Sequence, residues 1–129
     1  MNIPAELRYT PSNEWLRVDG STGTIGITDY AQSQLSDIVF TEIVVNPGDS
    51  VNPGDTIAVV ESVKAAADVY SPVSGKVSDI NEVLTSKPET INSDPYGSAW
   101  MVKLDLINPA EVASMLDAAA YEQQIETAT

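Results

Sequence analysis

The chain has 129 residues, enough for one domain with a short appendage, and 19 acidic against 6 basic residues give it a net charge of −13. It contains neither cysteine nor histidine, which excludes disulfide frameworks, Cys–His nucleophiles, Ser–His–Asp triads and the usual zinc sites. The acidity argues against nucleic acid and against an anionic membrane surface as partners. Three classes of function remain compatible with this composition: acid–base chemistry by carboxylates, metal binding by oxygen ligands, or no chemistry by the protein itself.

Turn signals divide most of the chain into short β-strands. Gly20 and its neighbours separate two segments rich in β-branched residues, which predicts a hairpin with strands over residues 15–18 and 24–27. Thr28 is a good N-cap, and it precedes a predicted helix of about two turns that ends near Leu35. Similar β-rich or alternating segments predict further strands over residues 38–45, 56–62, 67–71, 76–80 and 98–106.

A five-residue motif occurs twice in the middle of the chain. Val45-Asn46-Pro47-Gly48-Asp49 is followed six residues later by Val51-Asn52-Pro53-Gly54-Asp55. Proline fixes φ and glycine tolerates a positive φ, so each Pro-Gly pair fits the two central positions of a type II turn. Two such turns should reverse the chain twice within a short distance.

Helical patterns return only at the C-terminal end. Asn108 is predicted to cap a helix over residues 109–112, and Asp117 a second helix from 118 to about 126. We expect one domain over residues 1–129, with a core over about 14–106 and a helical tail over about 108–126. The first residues lack the features of a signal or transit peptide, and no apolar run is long enough to span a membrane. We therefore expect a soluble, intracellular protein.

One of the four lysines has unusual surroundings. Lys76 and Lys103 lie in alternating strand segments and should face solvent, and Lys87 lies in a predicted loop. Lys64, in contrast, lies between two predicted strands where the chain must reverse without the Gly, Pro or Asn that is typical of a hairpin tip. Its neighbours are small and apolar, so its amine should project into water. It is either an ordinary solubilising residue or a site of modification.

The chain as a whole resembles the H-protein family of the glycine cleavage system, lipoyl carriers related to the lipoyl and biotinyl domains. The resemblance extends from about Ile3 to Glu122. The matching segments, in family order and spacing, include Ile3-Pro4-Ala5-Glu6-Leu7-Arg8-Tyr9-Thr10, Gly26-Ile27-Thr28-Asp29-Tyr30-Ala31-Gln32, Val60-Glu61-Ser62-Val63-Lys64-Ala65, Ser71-Pro72-Val73-Ser74-Gly75 and Ile91-Asn92-Ser93-Asp94-Pro95-Tyr96-Gly97.

The resemblance implies a mostly β, hybrid barrel-sandwich fold with a short internal helix and C-terminal helices. It implies a non-catalytic carrier without a metal site, in which lipoic acid is joined as an amide to Lys64. The residues around the attachment would be Glu61, Ser62, Val63 and Ala65. The arm would take the aminomethyl group of glycine from the pyridoxal-phosphate glycine decarboxylase (P-protein) to the tetrahydrofolate-dependent aminomethyltransferase (T-protein). Dihydrolipoamide dehydrogenase (L-protein) would re-oxidise the arm, and a lipoate ligase or octanoyltransferase would attach it.

The resemblance also implies a cleft that shelters the loaded arm. By position, its acceptors would be Ser12, Glu14 and Asp68, although the two acids could equally be solvated strand carboxylates and Ser12 a turn residue. Asn13 and Gln34 stand where family members have histidine. Because neither amide titrates near neutral pH, we expect cargo retention to depend less on pH here than in histidine-bearing relatives.

Two other functions are compatible with the sequence. The chain could be a relay that donates lipoyl groups to other carrier domains. It could also, in a different class, be a small enzyme that uses Glu14 and Asp68 as acid and base. We expect a monomer in the bacterial cytoplasm, or in an organelle matrix if a transit peptide has been removed.

Overall fold

The structure is a computed structural model that describes residues 2–128. In this part of the chain, short strands dominate and helices occupy the connections and the C-terminal end. The strands are β1 (Arg8–Tyr9), β2 (Glu14–Asp19), β3 (Thr22–Ile27), β4 (Ile38–Ile43), β5 (Ser50–Val51), β6 (Thr56–Ser62), β7 (Ala66–Tyr70), β8 (Gly75–Ile80) and β9 (Val102–Leu106). The helices are α1 (Asp29–Leu35), α2 (Val83–Ser86), α3 (Thr90–Ser93), α4 (Pro109–Ala113) and α5 (Ala118–Ala128).

The strands form two antiparallel sheets with a shared core. The larger sheet has the order β1-β2-β3-β9-β8-β5, and the smaller sheet has the order β4-β6-β7. Leu16, Ile25 and Leu104 of the larger sheet are fully buried in one cluster with Ile57 and Val60 of the smaller sheet. Because both sheets contribute apolar faces to this cluster, its burial holds them together.

Side chains cap the three helices that the sequence predicts. Thr28 Oγ1 accepts a hydrogen bond of 3.1 Å from the backbone amide of Ala31 in α1, and Asn108 caps α4 in the same way. Asp117 Oδ1 accepts a hydrogen bond of 2.8 Å from the amide of Ala120 in α5. The predicted helices are therefore confirmed, and their starts follow from local capping chemistry.

Both Pro-Gly turns have the predicted geometry. Gly48 has a φ of 99° and Gly54 a φ of 91°. In each turn the aspartate amide donates to the carbonyl of the asparagine three residues earlier, at 3.0 Å. Between the turns, β5 is just long enough to pair with β8. The repeat is thus a pair of chain reversals at the edge of the larger sheet.

The prediction for the last strand was too long. It placed a strand over residues 98–106, but β9 begins at Val102. The preceding residues are drawn into turns, because Asp94 Oδ2 accepts from the amide of Ser98, and Asn81 Nδ2 donates to the carbonyls of Ser98 and Trp100. In addition, no helices were predicted in the segment that forms α2 and α3.

A second, aromatic cluster packs the C-terminal helix against the sheet. The rings of Tyr9 and Tyr121 stack with their centroids 4.7 Å apart, and Trp15 is fully buried beside them. Trp100 is half-buried at the edge of this cluster, and Lys103 Nζ lies 4.7 Å from the centroid of its ring. Lys103 is therefore not a fully solvent-facing residue as expected. Among the described residues, we find no helix with the length and apolar character needed to cross a membrane.

Candidate functional site

Lys64 lies at the end of the hairpin formed by β6 and β7, and its side chain is exposed. The turn is organised by Ser62, whose Oγ accepts hydrogen bonds from the amides of Lys64 at 3.2 Å and Ala65 at 3.0 Å. The same hydroxyl donates to the carbonyl of Ala65. A hairpin tip often requires glycine or asparagine. Here the hydrogen bonds of the Ser62 hydroxyl stabilise the turn in the absence of either residue.

The residues around Lys64 leave its amine open to solvent. Val63 is 67% exposed, and Ala65 and Glu61 are also exposed. The amide of Val63 donates to the carbonyl of Asp37 at 3.1 Å, which ties the tip to the segment between α1 and β4. Lys64 is thus presented on a short, hydrogen-bonded projection with small neighbours.

A cavity of about 170 Å³ lies against the middle of the same hairpin, beside β2 and α1. It is lined by all three acceptors that the sequence analysis named: Ser12, Glu14 and Asp68. Asn13 and Gln34, the two positions at which family members have histidine, line it as well, as does Ala67. The structure therefore brings these residues together from segments that are far apart in the chain.

Glu14 is the buried acid of this cavity, with 2% of its surface exposed. Its Oε1 accepts hydrogen bonds of 2.6 Å from the hydroxyls of Thr10 and Ser12, and its Oε2 accepts one of 3.2 Å from the amide of Tyr70. Burial raises the pKa of the Glu14 carboxyl above its usual value, and the hydrogen bonds from Ser12, Thr10 and Tyr70 oppose that rise. Glu14 is therefore not a solvated strand carboxylate, whereas Asp68 is exposed.

The side chain of Asn13 is held by a hydrogen bond from the C-terminal helix. Its backbone has a φ of 75°, a conformation that asparagine tolerates better than most residues. Tyr121 Oη of α5 donates to Asn13 Oδ1 at 2.8 Å and shares a 2.6 Å hydrogen bond with Thr28 Oγ1. Burial raises the pKa of the Tyr121 hydroxyl well above its usual range, so it remains a donor. The C-terminal helix thus helps to fix one wall of the cavity.

Comparisons with known proteins agree with this arrangement. Residues 7–128 match the family model described as "Glycine cleavage H-protein". The chain belongs to the glycine cleavage H-protein family. The H protein of Laribacter hongkongensis is 52% identical, covering 96% of this chain and 98% of its own, and that of Symbiobacterium thermophilum is 50% identical, covering 94% of each. A crystal structure of the H protein from Mycobacterium marinum has a TM-score of 0.86 at 31% identity, covering 96% of this chain and 99% of its own.

Membership in the H-protein family establishes the general function. The chain is a non-catalytic carrier of the glycine cleavage system, and it works between the P-, T- and L-proteins. The mostly β, lipoyl- and biotinyl-like fold predicted from the sequence is confirmed by the likeness to the M. marinum protein. The alternative of a small enzyme that uses Glu14 and Asp68 as acid and base does not agree with membership in this carrier family.

Two contributors to the H-protein cavity were missed by the sequence analysis. Thr10 donates to Glu14 from just before β2, and Tyr121 positions Asn13 from the C-terminal helix. Thr10 and Ser12 belong to the turn that leads into β2, within four residues of Glu14, and the two nearby hydroxyls are the signal that could have identified Thr10 as a local donor. No local signal identifies Tyr121, because 108 residues separate it from Asn13.

The raised pKa of Glu14 predicts a pH effect on the stability of this H-protein. Because the fold favours the neutral carboxyl, this group contributes most to stability below pH 4.5, its usual pKa, and the contribution is lost as the pH rises through the folded-state pKa. Denaturant unfolding at a series of pH values should therefore show the wild type losing stability relative to Glu14→Gln as the pH rises. A constant difference between the two proteins would show that Glu14 titrates alike in both states.

Proposed function

We propose that Lys64 carries the lipoyl group of this H-protein as an amide on its ε-nitrogen. The observation that carries the proposal is the position of an exposed lysine at the end of a hairpin whose middle part borders a cavity with a buried acid. Lys64 and Asp68 are four residues apart in sequence, about 13 Å along an extended strand. That span is comparable with a lysine side chain extended by a lipoyl chain, so the arm could reach the cavity from its attachment point.

The residues of the tip fit such a group. The small side chains of Ala65 and Ala66 leave space for an attaching enzyme around the amine, and the Ser62 hydroxyl keeps the turn in place without occupying that space. When bound, lipoate supplies the sulfur chemistry, which the chain cannot supply because it contains no cysteine. The part of the protein would be to present the arm, orient it and shield its cargo.

We propose that Glu14, Ser12 and Asp68 receive the amine of the aminomethyl cargo. Burial disfavours the charged form of Glu14, so a cationic amine placed beside it would restore that charge and be held by it. Asp68, at the exposed side of the cavity, would add a second acceptor. Contact of the cargo with the cavity wall would reduce its exposure to water and slow its hydrolysis.

Intact-mass analysis tests the attachment to Lys64. After incubation with lipoate, ATP and a lipoate ligase, the wild type should gain the mass of one lipoyl group, and Lys64→Ala should gain none. Lys87→Ala is the matched control, because it removes an exposed lysine from a loop and should leave the increment unchanged. A wild type that gains no mass, or a Lys64→Ala variant that still does, contradicts the proposal.

The cavity should retain its cargo with little dependence on pH near neutrality. Asn13 and Gln34 do not titrate there, so we expect spontaneous loss of the aminomethyl group to vary weakly between about pH 6 and 8. Asn13→His should steepen this profile, because a histidine at that position would change charge within the interval. Release of the cargo followed over time at each pH measures the effect. A steep profile in the wild type would contradict this expectation.

We also propose that the carrier acts as a monomer in the bacterial cytoplasm. The relatives named above come from bacteria. A shuttle must leave each partner quickly, which favours small contacts steered by its net charge of −13 rather than a permanent interface.

A further inference from the structure

The segment between α1 and β4, which contacts the tip of the hairpin formed by β6 and β7, has an unusual backbone. Ser36, immediately after α1, has a φ of 68° and a ψ of −145°, a region that favours glycine. A serine remains in this conformation only where surrounding contacts hold it there. The next residue, Asp37, provides the carbonyl that binds the tip of the hairpin. The strained residue therefore lies one position before a direct support of the attachment site.

The side chain of Asn92, in α3, holds this segment with three hydrogen bonds. Its Oδ1 accepts from the amide of Ile38 at 2.9 Å. Its Nδ2 donates to the carbonyl of Ser36 at 2.8 Å and to Oε1 of Gln32 at 2.9 Å. One side chain thus bridges the end of α1 and the start of β4, on both sides of Asp37. Its full hydrogen-bonding arrangement fixes the direction in which the Asp37 carbonyl points.

That carbonyl accepts from the amide of Val63, the residue before Lys64, at 3.1 Å. The turn itself is closed by Ser62, so its internal shape does not need Asp37. The bond to Asp37 extends the pairing of β4 with β6, in which Ile38 lies opposite Ser62, as far as the residue before Lys64, and so helps to fix the tip relative to the body of the protein. Because Val63 and Lys64 are exposed, this last backbone bond before Lys64 influences where the amine is presented.

We propose that Asn92 is a positioning residue for lipoylation: by clamping the Ser36–Asp37 segment, it holds the hairpin tip in the orientation that the lipoate-attaching enzyme recognises. The inference rests on the proposed attachment at Lys64. It assigns to Asn92, which is distant from Lys64 in the sequence, a role in recognition of the carrier by that enzyme. Ser36 is strained because the clamp requires its carbonyl to face Asn92.

Asn92→Ala should raise the KM of a lipoate ligase for this carrier by about tenfold, the scale of one lost hydrogen bond, with little change in kcat, because the substitution affects binding of the tip and not the chemical step. The amide of Val63 in the unmodified protein should also exchange its hydrogen faster. Asn81→Ala is the matched control, since Asn81 Nδ2 likewise holds two backbone carbonyls, but these belong to Ser98 and Trp100 before β9 and not to the segment that binds the hairpin tip. That variant should lose stability without a change in KM.

A second variant separates positioning from stability. Ser36→Gly added to Asn92→Ala should recover part of the lost melting temperature, because glycine adopts the φ of Ser36 without strain, yet the KM should stay raised. Should Asn92→Ala fail to fold, the double variant provides the same KM measurement. The inference would be overturned if the KM and the Val63 exchange rate were unchanged in these variants. It would also be overturned if adding Ser36→Gly restored both the melting temperature and the KM to their wild-type values. Failure of the wild type to accept lipoate would instead remove the proposed function, and the exchange rate of Val63 would still test the clamp.

Discussion

Lys64→Arg should reduce glycine–bicarbonate exchange with the P-protein to the level of the carrier-free reaction. Arginine preserves the positive charge and the length of the side chain, but its guanidinium stays protonated and cannot form the lipoyl amide. The side chain at this position is exposed, so the fold should not change. The loss would therefore be complete although stability is retained. The assay is exchange of labelled bicarbonate into glycine by purified decarboxylase and lipoate-treated carrier.

Lys87→Arg is the control for that experiment, because it makes the same chemical change at an exposed loop lysine. It should support exchange at the wild-type rate, and the melting temperatures of both variants should match that of the wild type. Exchange by Lys64→Arg at a rate near that of Lys87→Arg would mean that the carrier function does not depend on a covalent arm at Lys64.

Glu14→Gln should increase the spontaneous loss of the aminomethyl cargo from the loaded carrier by about ten- to a hundredfold. This range corresponds to the loss of one hydrogen bond to a charged group, about 1.5–3 kcal/mol. Glutamine preserves the shape of the side chain and an oxygen for the hydroxyls of Thr10 and Ser12, but it removes the negative charge that would hold the amine. The rate of cargo release into buffer, in the absence of T-protein, gives the comparison.

Glu42→Gln is the matched variant for this test. It removes the same charge from an exposed position on β4, and its residue does not line the cavity, so cargo loss should stay at the wild-type rate. Equal loss rates in the wild type, Glu14→Gln and Glu42→Gln would show that Glu14 is a structural carboxyl without a role in shielding.

The parts of the fold that sequence predicts well are those determined by neighbouring residues. The two Pro-Gly turns and the helix caps at Thr28, Asn108 and Asp117 depend on chemistry within a few positions, and all are present. The early part of the last predicted strand depends on contacts from Asp94 and from Asn81, whose amide reaches across 17 and 19 residues. There the alternating pattern was overridden, because a side-chain bond can draw a β-like segment into turns.

The site shows the same division. Lys64 is distinguished from the other lysines by its own surroundings, because a lysine among small residues occupies a chain reversal without the usual turn residues, but only the resemblance to the H-protein family predicts a lipoyl attachment there. Glu14 and Asp68 could be named by resemblance, but burial of one and exposure of the other depend on how the hairpin packs against β2. The contributions of Tyr121 and Asn92 arise from hydrogen bonds across 108 and 56 residues, and no local pattern encodes them.

Peptide mapping of the lipoylated protein tests the central claim most directly. After modification by a lipoate ligase, proteolysis and tandem mass spectrometry identify which of the four lysines carries the group. The lipoyl mass should occur on Lys64, with none on Lys76, Lys87 or Lys103, and trypsin should fail to cleave after the modified residue. A lipoyl group on one of the other lysines, or an unmodified chain in the presence of a ligase that modifies a known carrier, would contradict the assignment of Lys64.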